Sequence, residues 1–353
     1  MLLKNDGLLP LKAKGTVGVI GPNANSRRAL IGKYYGTASR CVTVLEGIQD
    51  RMAGHGRVLY SEGCHLFKDR VEHLALPDDR LAEALAVAES SDVVVLVLGY
   101  DERLEGEEGD EGNNYSSGDK ADLLLPKSQQ VLLRQVLAVG RPTVVVLLAG
   151  SSIDLSVAEE SANAILLGWY PGAGGGRAIA ELLFGKESPS GKLPVTFYTN
   201  DALEKMPAFT DYSMKGRTYR YYEDRPLYPF GYGLSYGKCS LTLTNAGHAG
   251  ATVSVRNEST RPLEEVVELY MKDEGSLLSS PNPALCGFGR VRLEPGEEKT
   301  LFLPIDKNAF TVVNEEGRSV PGSGNWRLYA GFGGPDRRTE ELSGRKALSV
   351  PIR

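Results

Sequence analysis

The sequence predicts two successive folds: an α/β domain whose mainly parallel sheet is covered by helices (an α/β sandwich), then an antiparallel β-sandwich. Three observations carry this. From Thr16 to about Phe197, short apolar runs alternate with segments of helical period, as strands do when they are joined by crossover helices. Residues 93–98 form a continuous Val/Leu run bounded by Asp92 and Gly99, which reads as a strand buried on both faces. After Lys238 the apolar period becomes that of strands, with turns such as Glu294-Pro295-Gly296 between them. At 353 residues the chain exceeds what one hydrophobic core supports, so two domains are expected.

In chain order, strands of the first domain are expected at 16–20, 57–60, 93–98, 143–148, 164–167 and, past the turn Pro189-Ser190-Gly191, at 193–197. Helices are expected at 42–52, 78–89, 126–139, 154–160 and 174–184. Pro126 with Ser128 and Gln129 suits a first helical turn, and Gly140 followed by Arg141-Pro142 suits a stop. Leu2 and Leu3 read as the tail of an amphipathic helix that begins upstream. GPNAN (21–25) follows the first strand and is expected to expose backbone amides, but it lacks the lysine and Ser/Thr of a phosphate-binding loop. PGAGGGRA (171–178) fails the dinucleotide spacing because Arg177 takes the sixth position, so it reads as a tight strand-to-helix turn.

The chemistry-bearing stretch follows residues 93–98. Glu102, Glu105, Glu107, Glu108, Asp110 and Glu111 crowd one glycine-rich loop at the carboxyl end of a buried strand, where open α/β sheets carry their sites. A charge run is most often only a solvated face. Carboxylates this dense raise one another's pKa, however, which favours a proton donor, and neither a histidine nor calcium-loop spacing suggests a metal. No metal and no cofactor are expected.

A net charge of −5 with both signs mixed excludes a basic footprint, so neither nucleic acid nor a membrane is an expected partner. The four cysteines, Cys41, Cys64, Cys239 and Cys286, contain no CxxC pair and read as reduced, buried thiols. Neither a secretory run at the start nor an apolar stretch of about 20 residues is found, which favours a cytoplasmic protein. Between 200 and 236 lie seven tyrosines with little periodicity, the composition of an ordered linker packed on a neighbour rather than a flexible tether. Beyond it, the alternating stretches beginning at Cys239, Gly250, Glu264, Ala284, Lys299 and Asn325 indicate a sandwich of immunoglobulin or fibronectin type III architecture. No antibody-type cysteine pair is present, so the fibronectin type III version is favoured.

The chain resembles the C-terminal half of a glycoside hydrolase family 3 enzyme, the family of many β-glucosidases and β-xylosidases. The resemblance rests on LLKNDGLLPL (2–11), GPNAN, the acidic loop ending in GDKADLLLP (118–126), WYPGAGGGRAIAELLFGKESPSGKLPVTF (169–197) and GRTYRYYEDRPLYPFGYGLSY (216–236), in that order. It implies a family 3 α/β sandwich domain at 1–199, a tyrosine-rich linker at 200–237 and a fibronectin type III-like domain at 238–353. It also implies retaining hydrolysis of terminal β-glycosidic bonds, in which a barrel aspartate attacks the anomeric carbon and a glutamate of the sandwich domain protonates the leaving oxygen. Ungapped placement from Gly99 puts that glutamate at Glu107, with Glu105 and Glu108 as alternatives. The nucleophile's Ser-Asp-Trp motif has no match; Thr210-Asp211-Tyr212 only imitates it. The implied partners are an oligosaccharide or β-glycoside substrate and a TIM-like barrel, upstream or on a separate chain. The alternative is a non-catalytic accessory or carbohydrate-contacting protein of the same fold.

Overall fold

The computed structural model describes residues 1–32, 36–70, 72–105 and 120–352. By compactness the chain forms two units, Leu2–Glu187 and Ser188–Arg353. The first contains β1 (Leu2–Asn5), β2 (Gly15–Ile20), α1 (Val44–Met52), β3 (Gly56–Ser61), α2 (Leu81–Glu89), β4 (Val93–Gly99), α3 (Lys127–Ala138), β5 (Thr143–Leu148), α4 (Ser156–Ser161), β6 (Ala164–Leu167) and α5 (Gly175–Leu183). They build one sheet in the order β1-β6-β5-β4-β2-β3. Strands β2 to β6 run parallel. The apolar runs are therefore interior: β5 and β6 are buried at every position, and β4 at every position after Val93.

From β2 the chain moves outward to β3 and then returns across β2 to β4. The strand order thus reverses between β2 and β4, the switch point where open α/β sheets leave a crevice beyond their carboxyl ends. The loops after those two strands are GPNAN and the acidic loop.

Two expectations are corrected here. Leu2 and Leu3 are fully buried in β1, which pairs antiparallel with β6 through Lys4↔Ile165 and Asn5↔Ala164. Two leucines cannot distinguish a helical period from a strand, and the pairing partner lies about 160 residues away. The expected strand at 193–197 does not join the sheet, because β1 already occupies the edge beside β6. It pairs instead with the tyrosine-rich segment, through Leu193 N–H to the Tyr232 carbonyl (2.9 Å) and Phe197 N–H to the Tyr228 carbonyl (2.8 Å).

The glycine-rich run has a packing role. A Cβ on Gly176 would stand 1.9 Å from the Thr43 carbonyl oxygen, and one on Gly47 would stand 2.2 Å from that of Gly176. Only glycines let α5 approach α1 this closely. Thr43 also caps α1, its hydroxyl accepting the Glu46 N–H at 3.2 Å.

The second unit holds a short α6 (Thr218–Tyr221) and then β7 (Cys239–Gly247), β8 (Gly250–Asn257), β9 (Leu263–Asp273), β10 (Ala284–Leu293), β11 (Glu298–Pro304), β12 (Thr311–Val313), β13 (Ser319–Pro321), β14 (Trp326–Gly331), α7 (Arg337–Ser343) and β15 (Leu348–Ile352). Antiparallel sheets β10-β9-β14-β15 and β11-β8-β7 enclose a core that includes Val253, Val255, Val267, Leu269, Leu328 and Trp326. All four cysteines are free thiols, and burial pushes Cys64 and Cys286 up to about 12 and Cys239 to about 11, which makes them inert.

Within this unit Tyr228 and Tyr232 are buried and stacked at 5.8 Å, whereas Phe209 and Tyr212 are exposed. A Cβ on Gly231 would stand 2.3 Å from the Tyr270 hydroxyl, so the segment lies hard against β9. That hydroxyl donates to the buried Glu268 carboxylate at 2.8 Å. Burial raises Glu268 to about 7, against the lowering pull of Tyr270 and Lys192. A carboxyl whose folded value is raised binds a proton that the unfolded chain has already released. Its contribution is therefore fully present below about 4.5 and is lost as pH rises to about 7. Urea titrations should show stability falling by roughly 2–3 kcal/mol across that window relative to Glu268→Gln. Parallel curves for the two proteins would contradict this.

Candidate active site at the carboxyl edge of the parallel sheet

Strand β4 ends at Gly99, with φ +134° and an added Cβ only 1.9 Å from the Leu148 carbonyl oxygen. Gln129 of α3, fully buried, clasps this end. Its Oε1 accepts the Gly99 N–H (2.8 Å), while its Nε2 donates to the carbonyls of Gly99 and Leu66 (2.7 Å each). Tyr100 is tied to both neighbouring elements, its N–H to the Leu148 carbonyl (2.8 Å) and its hydroxyl to the Leu124 carbonyl (2.5 Å).

Residues 101–105 then make one turn. Leu104 and Glu105 N–H groups donate to the Asp101 carbonyl at 3.0 and 3.3 Å. The Asp101 carboxylate is buried and forms a bidentate pair with Arg103, through Nε (3.0 Å) and Nη2 (2.6 Å) to Oδ2. That hydrogen bonding raises the Arg103 guanidinium above its ordinary value. Burial and the charges of Lys68 and Arg103 lower nearby His65. Glu102 lies 3.4 Å from Arg28 through Oε1, and its buried Oε2 has no hydrogen-bond partner among the described residues.

Glu105 is held by three donors from outside its own loop. It accepts from the Gly150 N–H (2.7 Å) and the Ser151 hydroxyl at the end of β5, and from the Tyr170 hydroxyl just past β6. Burial and the neighbouring Glu105 carboxylate push the Tyr170 phenol far above its usual value, so it is a proton donor at every physiological pH. A Cβ on Gly150 would stand 2.8 Å from the Tyr170 ring and 3.0 Å from Glu105 Oε2, which explains the glycine there. Trp169, immediately before Tyr170, holds φ +53°, a strained conformation for this residue type.

Lys120 stands where the described chain resumes. Its ammonium lies 4.3 Å from the Tyr100 ring centre and has no hydrogen-bond partner among the described residues, and burial lowers its pKa against the raising pull of Glu105 and Asp122.

Of the three candidate glutamates, Glu105 is thus placed, whereas Glu107 and Glu108 lie outside the described residues, as do Asp110 and Glu111. The first residues of the acidic loop, 102 to 105, are not merely a solvated face but are fixed by Arg28, Gly150, Ser151 and Tyr170. GPNAN also differs from expectation. Gly21 to Ala24 are buried, and the Asn23 side-chain amide donates to the Tyr100 carbonyl at 3.0 Å, bridging the two loops at the switch point. Asp211 is exposed and accepts the Ser213 N–H at 2.9 Å.

Residues 1–236 match the glycosyl hydrolase family 3 C-terminal domain, and residues 265–333 match a fibronectin type III-like domain. Over 94% of its length the chain is 33% identical to the periplasmic beta-glucosidase of Salmonella typhimurium, covering 46% of that protein. It is also 33% identical over 94% of its length to a beta-xylosidase of Formosa agariphila, again covering 46%. The solved family 3 exo-beta-xylosidase XlnD, in complex with a xylobiose aziridine probe, superposes with a TM-score of 0.84 at 26% identity, over all of this chain and 47% of that one. The chain spans about half the length of the relatives it matches. It belongs to glycosyl hydrolase family 3, carrying that family's C-terminal domain followed by a fibronectin type III-like domain.

Proposed function

We propose that this chain supplies the acid-bearing half of a retaining β-glycosidase acting on terminal β-glucosides or β-xylosides, and that a TIM-like barrel region supplies the nucleophile. The observation that carries this reading is the acidic loop's origin at the β2/β4 switch point, on a strand end clasped by Gln129. Glu105 is an anchor in this scheme. Its Oε1 accepts from Ser151 and its Oε2 from Gly150 and Tyr170, so both oxygens are already engaged by donors of its own domain. The acid/base role then falls to Glu107, two residues past the anchor, with Glu108 as its neighbour. Glu107 protonates the leaving oxygen as the barrel carboxylate attacks, then deprotonates the water that releases the sugar.

A retaining pair needs its second carboxylate about 5–5.5 Å from the first, and here that group belongs to the barrel. The chain alone should give no turnover of aryl β-glucosides or β-xylosides, while a protein with a family 3 barrel region fused before Met1 should hydrolyse one of them. Turnover by the chain alone that Glu107→Gln abolishes would overturn the division of roles. An inactive but folded fusion would favour the non-catalytic, carbohydrate-contacting alternative. Among the described residues no helix is long and apolar enough to cross a membrane.

A further inference from the structure

The C-terminal unit contains a cavity of about 780 Å³ that the reading above leaves without a role. Its aromatic wall is a fixed three-ring platform. Tyr219 lies flat on Phe230, with centroids 4.1 Å apart and planes 10° from parallel, and Tyr270 meets the two rings edge-on at 6.3 and 6.4 Å. The Tyr219 hydroxyl accepts the Leu285 N–H at 3.0 Å. Asn282 donates both amide hydrogens, at 2.8 Å each, to the carbonyls of Tyr219 and Tyr222, which leaves its Oδ1 to accept from a ligand. Thr218, a β-branched residue held at φ +54°, directly precedes the platform. Strain of this kind persists only where surrounding contacts fix it, and it gathers at ligand clamps.

The rim selects the ligand class. The rim carries Arg225, Arg337 and Arg338 beside Glu223, Asp224, Asp336 and Glu341, and all three arginines pair with Glu341, so donors and acceptors are both abundant. A phosphate or a polyanion would meet more carboxylates than guanidiniums. A neutral polyol that presents C–H faces to aromatic rings and hydroxyls to a mixed rim fits both surfaces, and the volume lies in the range of small-ligand clefts. We propose that this cavity is a binding pocket for a neutral pyranose oligosaccharide, roughly two to three sugar rings long, with Tyr219 as its stacking surface.

The test is calorimetric titration of the full chain with xylotriose and cellotriose, and with trigalacturonate as the charged probe. At least one neutral trisaccharide should bind in the millimolar range or tighter. Tyr219→Ala should weaken that binding at least tenfold. Because it also removes a support for Leu285, Tyr219→Phe is the second variant: it loses the same hydroxyl but keeps the ring, and its binding should stay within about twofold of the parent. Glu107→Gln should leave the titration unchanged, so failure of the acid/base assignment would not be mistaken for failure here. No heat with either neutral trisaccharide at 10-millimolar order, binding of trigalacturonate alone, affinity indifferent to Tyr219→Ala, or an equal loss in Tyr219→Ala and Tyr219→Phe would overturn the proposal.

Discussion

Gly99→Ala is expected to destabilise the chain by about 3–5 kcal/mol and to misplace the start of the acidic loop. Its backbone sits at φ +134°, where an L side chain is strained by about 1–3 kcal/mol. The added carbon would also lie 1.9 Å from the Leu148 carbonyl oxygen and 3.0 Å from the Leu148 nitrogen, so β4 and β5 must part. Parting them breaks the Tyr100 N–H bond to Leu148 and loosens the Gln129 clasp. Urea denaturation measures the loss directly, and a change below about 1 kcal/mol would mean that this strand end is not the rigid mount described above.

The second large effect concerns Lys192, which is buried, donates to the Gly233 carbonyl at 2.7 Å and lies 3.7 Å from Glu265. Burial lowers its pKa, and the carboxylates of Glu265 and Glu268 offset that penalty. Lys192→Met would leave Glu265, almost fully buried, with Arg345 at 3.6 Å and Ser235 as its remaining partners. Removing one member of a buried pair typically costs about 3–5 kcal/mol, and Arg345 should hold this case near 3. Adding Glu265→Gln should recover part of the loss, because the stranded charge goes with it. Additive losses in the double mutant would show that the two side chains are not coupled.

The parts of the fold legible in the sequence were those encoded locally. Strands β2 to β6 announce themselves as Val/Leu runs, and α3 ends at Gly140, whose φ of +76° suits a residue without a side chain. What failed needed distant partners. β1 finds its place through β6, and residues 193–197 find theirs through Tyr228 and Tyr232, neither visible in a local period. The hairpin of β12 and β13 is too short to show alternation. α7 is a seven-residue helix signalled only by Asp336, whose side chain caps it, and Gly344 beyond its end.

The site divides the same way. The origin of the acidic loop at the carboxyl end of a buried strand could be read from composition and position, with Gly99 as that strand's boundary. Glu105 was indistinguishable from Glu107 and Glu108 by sequence because its three donors come from the ends of β5 and β6, 45 to 65 residues further on. Only folding brings Tyr170, from the quoted WYPGAGGG stretch, onto that carboxylate.

The most direct test of the central claim, that this chain carries the acid/base at Glu107, is azide rescue in the barrel-fused protein. For a retaining enzyme without its acid/base, an aryl glycoside with a good leaving group still forms the glycosyl-enzyme, and azide then releases it without base assistance. Glu107→Ala should therefore lose turnover by roughly 10²–10⁴-fold on a poor leaving group. On a dinitrophenyl glycoside, azide should restore it and yield a β-glycosyl azide. The same signature on Glu105→Ala or Glu108→Ala, with Glu107→Ala behaving as the parent protein, would contradict the account.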